Sequence, residues 1–197
     1  MTDSQLIREI KDGNVQLYSE LMLRYERKIL SFVYHMLKGA QMEIHAEDLC
    51  AETFYKAYRS LQTFREVEAS FSTWLYTIAR NTVLSELRKQ RSGKVSLEES
   101  GITPQSSFES LPEQTILRNE KVDLVREAIR NLPEKQRSAL ILREYEQLDY
   151  QEIANILGQT VSSVKSLLFR ARASVKTQLE SYFAEPVYEE YKGMNHR

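Results

Sequence analysis

Read as an α-helix at about 100° per residue, the stretch FSTWLYTIARNTVLSELRKQR (residues 71–91) places Trp74, Thr77, Asn81 and Arg88 along one side. Those four side chains supply a flat ring, a hydroxyl, an amide that both donates and accepts, and a cation. Single-stranded nucleic acid is held by that combination, with rings for stacking, polar groups for base edges and positive charge for the backbone. The same helix carries two apolar stripes, Phe71, Leu75, Ile78 and Thr82 on one and Tyr76, Arg80, Val83 and Leu87 on another, nearly opposite. A helix with two such stripes is wedged between neighbours, so most of its aromatics serve the core. Trp74 as a core anchor and Asn81 as a solvent-facing amide use the same residues, and helical angle alone leaves both readings open.

A second set lies near the other end of the chain. In a helix starting at Val161, residues Val164, Leu168, Ala171 and Val175 form a packing stripe. The opposite side presents Ser162, Ser166, Phe169 and Arg170, flanked by Lys165 and Arg172. Small hydroxyls permit close approach and long cations reach phosphates or guanine edges, as reading a major groove requires. The charge distribution agrees with contact at two places. Segment 80–94 carries Arg80, Arg88, Lys89, Arg91 and Lys94 against Glu86, and segment 161–177 carries Lys165, Arg170, Arg172 and Lys176 with no acid. The chain's net charge is nevertheless −1, so its remainder is acidic.

Catalytic chemistry finds little footing. His35, His45 and His196 have no paired ligand spacing, and the single cysteine, Cys50, falls on an apolar stripe beside Glu47 and Asp48, which oppose thiolate formation. There is no Gly-rich phosphate loop. The expectation is a protein that is not an enzyme and needs no cofactor or metal.

The elements that position these sets are all helical. Six Gly and four Pro in 197 residues argue against a turn-rich β fold, and 42% hydrophobic content suffices for real cores. One cysteine allows no internal disulfide, which suits a reducing cytoplasm, and no apolar run approaches the roughly 20 residues that span a bilayer. The opening MTDSQLIREIKDGN lacks the apolar core of a secretory signal. A cytoplasmic location is expected. A short helix ends at Asp12-Gly13-Asn14, and residues 14–38 repeat apolar residues at helical period through Leu21, Tyr25, Ile29, Phe32 and Met36. Residues 46–62 bury Cys50, Phe54, Ala57 and Leu61 and turn Asp48, Glu52, Tyr55 and Arg59 outward at spacings of 4, 3 and 4.

From 92 to 115 the chain is rich in Ser, Glu, Pro and Gln without sustained periodicity, and reads as a flexible linker. Helical patterning resumes over 116–182. Pro133 suits a helix first turn, Asp149 with Glu152 reads as a capping box, Gly158 as a left-handed helix end and Thr160 as the next cap. Two helices joined by so short a Gly-containing turn form a helix-turn-helix. The architecture expected is all-α: a helical bundle over 1–91, a linker over 92–115, a helix-turn-helix domain over 116–182 and a polar tail over 183–197.

The segment LREYEQLDYQEIANILGQTVSSVKSLLFRARASV resembles region 4 of bacterial extracytoplasmic-function (ECF) sigma factors, in the sigma-70 superfamily. HAEDLCAETFYKAYRSLQTF resembles their region 2.2 and FSTWLYTIARN their regions 2.3 and 2.4, in the family's order and with a variable linker between. The resemblance implies a transcription initiation factor that binds core RNA polymerase. Its Asp48, Glu52, Tyr55 and Arg59 would dock on the β′ clamp, and the β flap is the other part of the polymerase implied as a partner. By the same resemblance Ser162, Ser163, Lys165, Ser166, Phe169, Arg170 and Arg172 would read a duplex −35 element. Lys56, Phe64, Trp74, Thr77, Asn81 and Arg88 would capture melted −10 bases, with loop 63–70 beside Asn81 holding a flipped base. Promoter DNA and an anti-sigma protein are the further partners implied. The chain departs from the family pattern at Ser162-Ser163, where Gly-Thr is usual, at Leu167, where Arg is frequent, and at Ala51, where Gln is common. The rival reading is a helix-turn-helix regulator of duplex operators, with residues 1–91 as a sensor or dimerisation domain. A protein-interaction adaptor, a third class, leaves both basic patches unexplained.

Overall fold

A computed structural model describes residues 1–38, 40–67, 69–97 and 113–184; at 91, 93–97, 113–121, 181 and 183–184 only the backbone is described. Every regular element among the described residues is helical. The first, α1 (Asp3–Lys11), starts in a capping box between Thr2 and Gln5 and buries Leu6, Ile7 and Ile10. It ends at the expected turn, where Gly13 takes φ +112°, a backbone region that side chains with a Cβ rarely adopt. The expected helix over 14–38 is split: a 3-10 turn covers Val15–Leu17 and α2 covers Tyr18–Lys38. Next come α3 (Ala46–Ser60), a 3-10 turn over Leu61–Thr63, and α4 (Phe71–Leu97).

The four helices converge as their stripes require. Leu21, Ile29, Phe32 and Met36 of α2 are fully buried, with Phe54 and Ala57 of α3 and Leu75 and Tyr76 of α4 around them. Phe32 and Tyr76 meet edge to face at 5.5 Å. Both stripes of α4 are covered: Phe71, Leu75 and Thr82 on one and Tyr76, Val83 and Leu87 on the other are all buried, and Phe71 and Tyr76 both meet aromatic rings of α2. Ile78 and Arg80 are only partly covered.

The linker expected over 92–115 lies largely outside the described residues. Helix α4 continues to Leu97 and α5 (Glu113–Arg130) has begun by Glu113. The lone Gly93 does not stop α4, because one glycine costs a helix interior only about 1 kcal/mol. Residues 98–112 lie outside the described residues, and so does the expected tail from 185 onward; 183 and 184 still belong to the last helix.

In the C-terminal half, α6 (Glu134–Glu144) begins one residue later than expected, with Pro133 as its extended N-cap at ψ 143°. Helix α7 (Tyr150–Leu157) opens on the Asp149–Glu152 capping box, with reciprocal bonds of 2.8 and 2.9 Å. Gly158 ends it at φ 59°, and the Thr160 hydroxyl accepts from the Ser163 N–H at 3.1 Å to start α8 (Val161–Ala184). Residues 158–160 are therefore a three-residue turn between two helices. On α8, Val164, Leu168 and Ala171 are buried, Val175 is half-buried, and Leu167 packs at the margin of the same core.

The two halves lie against each other, α2 against α6 and α4 against α7. Glu146, just beyond α6, uses both carboxylate oxygens across this junction: Ser31 Oγ donates to Oε1 and Tyr76 OH to Oε2, each at 2.8 Å. Burial, then the neighbouring Glu146 carboxylate, pushes the Tyr76 phenol far above its ordinary value, so it stays a donor. Nearby, Glu134 Oε1 accepts from Arg80 Nη2 at 2.6 Å and Nε at 3.1 Å, and from Ser138 Oγ at 2.8 Å. The His35 ring lies 3.8 Å from that of Tyr145.

Candidate nucleic-acid interface

Three outward faces carry the residues singled out in the sequence. The first is on α4. Asn81 and Arg88 are exposed, while Trp74 and Thr77 are half-buried. The Thr77 hydroxyl is occupied, donating to the Thr73 carbonyl at 2.9 Å. Trp74 packs against the core and stays partly exposed. One side of its ring rests on Phe64 at 4.8 Å and Phe71 at 5.8 Å, and the rest remains accessible. Lys56 comes from α3, held between Glu52 at 2.7 Å and the Thr82 hydroxyl at 3.2 Å.

Phe64 requires a correction. It is only 5% exposed, enclosed by Phe71 and Trp74, and offers no open face to a base. Burying its ring removes more water-exposed apolar surface than stacking one base could, so it sits in the core and backs Trp74. Loop 64–70 is pinned at both ends. At its start Phe64 N–H bonds the Leu61 carbonyl at 3.1 Å, and at its end the Ser70 hydroxyl accepts from Thr73 N–H at 3.2 Å.

The second face is on α8. Ser162, Lys165, Ser166, Phe169 and Arg170 are exposed along one side, and Phe169 stands 75% open. An exposed phenyl ring beside hydroxyls and cations can meet a thymine methyl while its neighbours reach phosphates. Two expected members are engaged by other side chains. Ser163 is half-buried, its hydroxyl donating to Gln159 Oε1 at 3.0 Å, because it sits in the first turn under the Thr160 cap. Arg172 folds back onto α6, meeting Glu144 Oε1 through Nη2 at 2.7 Å and Nε at 3.2 Å. That hydrogen bond, with the carboxylate's charge, holds its guanidinium above the ordinary value.

Sequence reasoning missed Tyr150 and Arg143. The Tyr150 ring lies under the Arg143 guanidinium at 5.0 Å and the Lys165 ammonium at 5.8 Å, so two cations converge beside the open face of α8. The capping-box position next to Tyr150 was a signal for the helix start, but nothing in the periodicity marks its ring as a platform.

The third face is on α3. Asp48, Tyr55 and Arg59 are exposed and Glu52 is half-exposed, all on one side, with Arg59 Nη1 donating to Tyr55 OH at 3.5 Å. Beneath them Cys50 is buried against α2, which together with Glu26 pushes its thiol up to about 11 and makes it an inert packing group. Among the described residues no helix is long and apolar enough to cross a membrane.

A helical bundle followed by a helix-turn-helix, each half with an outward cationic face, is the framework of a nucleic-acid-binding protein. Comparison with known proteins sharpens that class. Residues 21–93 match the family model Sigma-70 region 2, and residues 123–175 match Sigma-70, region 4. The chain is 36% identical over 191 residues to the RNA polymerase sigma-H factor of Pseudomonas aeruginosa, covering 93% of this chain and 96% of that protein. It is 34% identical over 188 residues to the ECF RNA polymerase sigma-E factor of Escherichia coli K12, covering 91% and 95%. In fold it is similar to CnrH in its complex with the cytosolic domain of CnrY, at a TM-score of 0.66 and 20% identity, covering 91% of this chain and 97% of that one. It is also similar to the sigma factor RpoE in complex with the anti-sigma factor NepR from Bartonella quintana, at a TM-score of 0.61 and 24% identity, covering 83% and 96%. The chain belongs to the sigma-70 family, in its ECF group. A match of the N-terminal half to region 2 disfavours the regulator reading, in which that half is an unrelated sensor.

Proposed function

We propose that this chain is a cytoplasmic, non-enzymatic transcription initiation factor that binds core RNA polymerase and directs it to particular promoters. Residues 1–91 form its polymerase-binding and −10-recognising unit, extended by the rest of α4, and 116–182 its −35-recognising unit. The observation that carries this reading is the placement of exposed polar and cationic side chains, Asn81, Arg88 and Lys89 on α4 and Ser162, Lys165 and Arg170 on α8, in the two segments that match regions 2 and 4 in order.

In this reading Ser162, Lys165, Ser166, Phe169 and Arg170 of α8 enter the major groove of the −35 duplex, and Arg143 with Lys165 meets its phosphates. Arg172 joins them by exchanging its Glu144 partner for a phosphate. Asn81 and the open part of Trp74 receive a base leaving the −10 stack, with Thr77 beside them and Lys56 and Arg88 along the backbone. A base held there stabilises the melted state over the closed one, and differential binding of that kind drives opening without chemistry by this chain. The face of Asp48, Glu52, Tyr55 and Arg59 docks on the polymerase clamp, and the C-terminal unit on the flap. An anti-sigma protein is the expected antagonist, in keeping with the complex that the similarly folded sigma factor RpoE forms with the anti-sigma factor NepR.

The test is run-off transcription by core polymerase on a promoter set, with and without the purified chain. Asn81→Ala is expected to slow open-complex formation about tenfold or more while leaving polymerase affinity unchanged. Absence of polymerase binding and of promoter-specific initiation by the wild-type chain would sink the proposal.

A further inference from the structure

Lys11 has no part in any of the three faces, yet it touches the residue on which one of them is built. Its ammonium donates to the Phe64 carbonyl at 2.7 Å, across 53 residues of chain, and stands 5.9 Å from the centre of the Phe64 ring. That carbonyl lies at the C-cap of the 3-10 turn over Leu61–Thr63, where the backbone turns extended at φ −63° and ψ 134°. Carbonyls at a helix end have lost their helical partners and need another donor. Lys11 supplies it and holds the point where the chain leaves the turn for loop 64–70.

The hold passes directly to Trp74. The Phe64 ring packs on the indole at 4.8 Å and on Phe71 at 5.9 Å, so the position of Phe64 sets how far the indole stands out of the core. The base of Lys11 is itself fixed, because α1 is anchored by Leu6, Ile7 and Ile10, each at most 3% exposed. A rigid helix thus reaches across to the entry of the loop, and one cation fixes both the backbone and the ring behind the stacking surface.

We propose that Lys11 is a positioning residue for −10 base capture, acting through Phe64 to set the Trp74 ring and the start of loop 64–70. This rests on the reading of Trp74 and Asn81 given above. Lys11 itself touches no base; it lowers the reorganisation that a flipped base would otherwise require.

Trp74 is the chain's only tryptophan, so its fluorescence reports the position of that ring directly. Lys11→Met keeps the aliphatic stem and removes the donor, and Lys11→Arg restores a donor of similar reach. In the full chain, Lys11→Met is expected to red-shift Trp74 emission and raise its acrylamide quenching. In the reconstituted holoenzyme it is expected to slow opening of a promoter carrying 2-aminopurine in the −10 element about fivefold, the scale of one hydrogen bond. Polymerase affinity is expected to hold and Lys11→Arg to recover both signals. Unchanged Trp74 fluorescence and opening rate in Lys11→Met would overturn the proposal, as would an equal loss of polymerase affinity or a failure of Lys11→Arg to rescue. Trp74→Ala is the control for the underlying reading. If it leaves opening intact, base capture by this face fails; if it slows opening and Lys11→Met does not, only the role of Lys11 fails.

Discussion

Phe64 and Trp74 show how two aromatic side chains ten positions apart divide their labour. Both resemble stacking residues by type, but burial assigns Phe64 to the core and leaves Trp74 half in it. Phe64→Ala is therefore expected to act as a core truncation, lowering unfolding free energy by about 3 kcal/mol in urea denaturation. Trp74→Leu, which keeps apolar volume, is expected to cost less stability while weakening capture of −10 bases. Asn81, exposed on the same face, should leave the denaturation midpoint within about 0.5 kcal/mol of wild type when changed to Ala, since a surface side chain contributes little to folding. Helical angle alone identified Trp74, Thr77, Asn81 and Arg88 as one strip. It could not identify Phe64 as core, because Phe64 stands outside any helix and its burial depends on Phe71 and Trp74 closing over it.

At the scale of the element, the helix-turn-helix is set by local chemistry. The Asp149 cap, the left-handed Gly158 and the Thr160 cap are each visible in sequence, because each answers an unsatisfied backbone group within four residues. Gly158 stands in open space, with nothing within 4 Å of an added Cβ, so only its backbone conformation resists substitution. Gly158→Ala is expected to lower stability by about 1 kcal/mol and Gly158→Asn by less, both by thermal unfolding, and both to reduce −35 duplex affinity only through α8 alignment. Helix α8 was legible as a stripe and an opposite face. The engagement of Ser163 by Gln159 and of Arg172 by Glu144 was not, since both depend on neighbours that angular position does not specify.

Across the whole molecule, the two halves share one buried apolar core, and polar contacts across the junction add to it. Glu146 bridges Ser31 and Tyr76, and Arg80 reaches Glu134. Glu146→Ala strands a buried phenol and is expected to lower unfolding free energy by about 1–3 kcal/mol in urea denaturation, whereas Leu23→Ala, at an exposed position of α2, should leave it nearly unchanged. His35 lies in the same junction, stacked on Tyr145, with Lys38 and Tyr34 on its own helix and Arg126 opposite. Burial first, then Lys38 and Arg126, lowers its pKa below the ordinary 6.5. The folded chain therefore keeps a neutral imidazole where the unfolded chain takes up a proton, so the stability from His35 is complete above about pH 6.5 and is lost as pH falls toward the folded value. His35→Phe is expected to flatten the pH dependence of unfolding below about pH 6.5, measured against wild type.

The sequence by itself determined most of the helices, the caps of the helix-turn-helix, the buried part of both α4 stripes and the exposed polar and cationic side of α8. All of these follow from contacts within a few residues, where a 3.6-residue period and side-chain type carry the information. Tertiary structure alone decided that Phe64 is core, that Lys11 holds its carbonyl, that Arg172 turns to Glu144 and that Glu146 ties the halves together. Each of those depends on which element lies opposite, at separations of 28 to 115 residues for the three polar contacts. A polar side chain on a helix surface has the same local signature whether it faces water, a phosphate or a second domain, and only its partner's position distinguishes them.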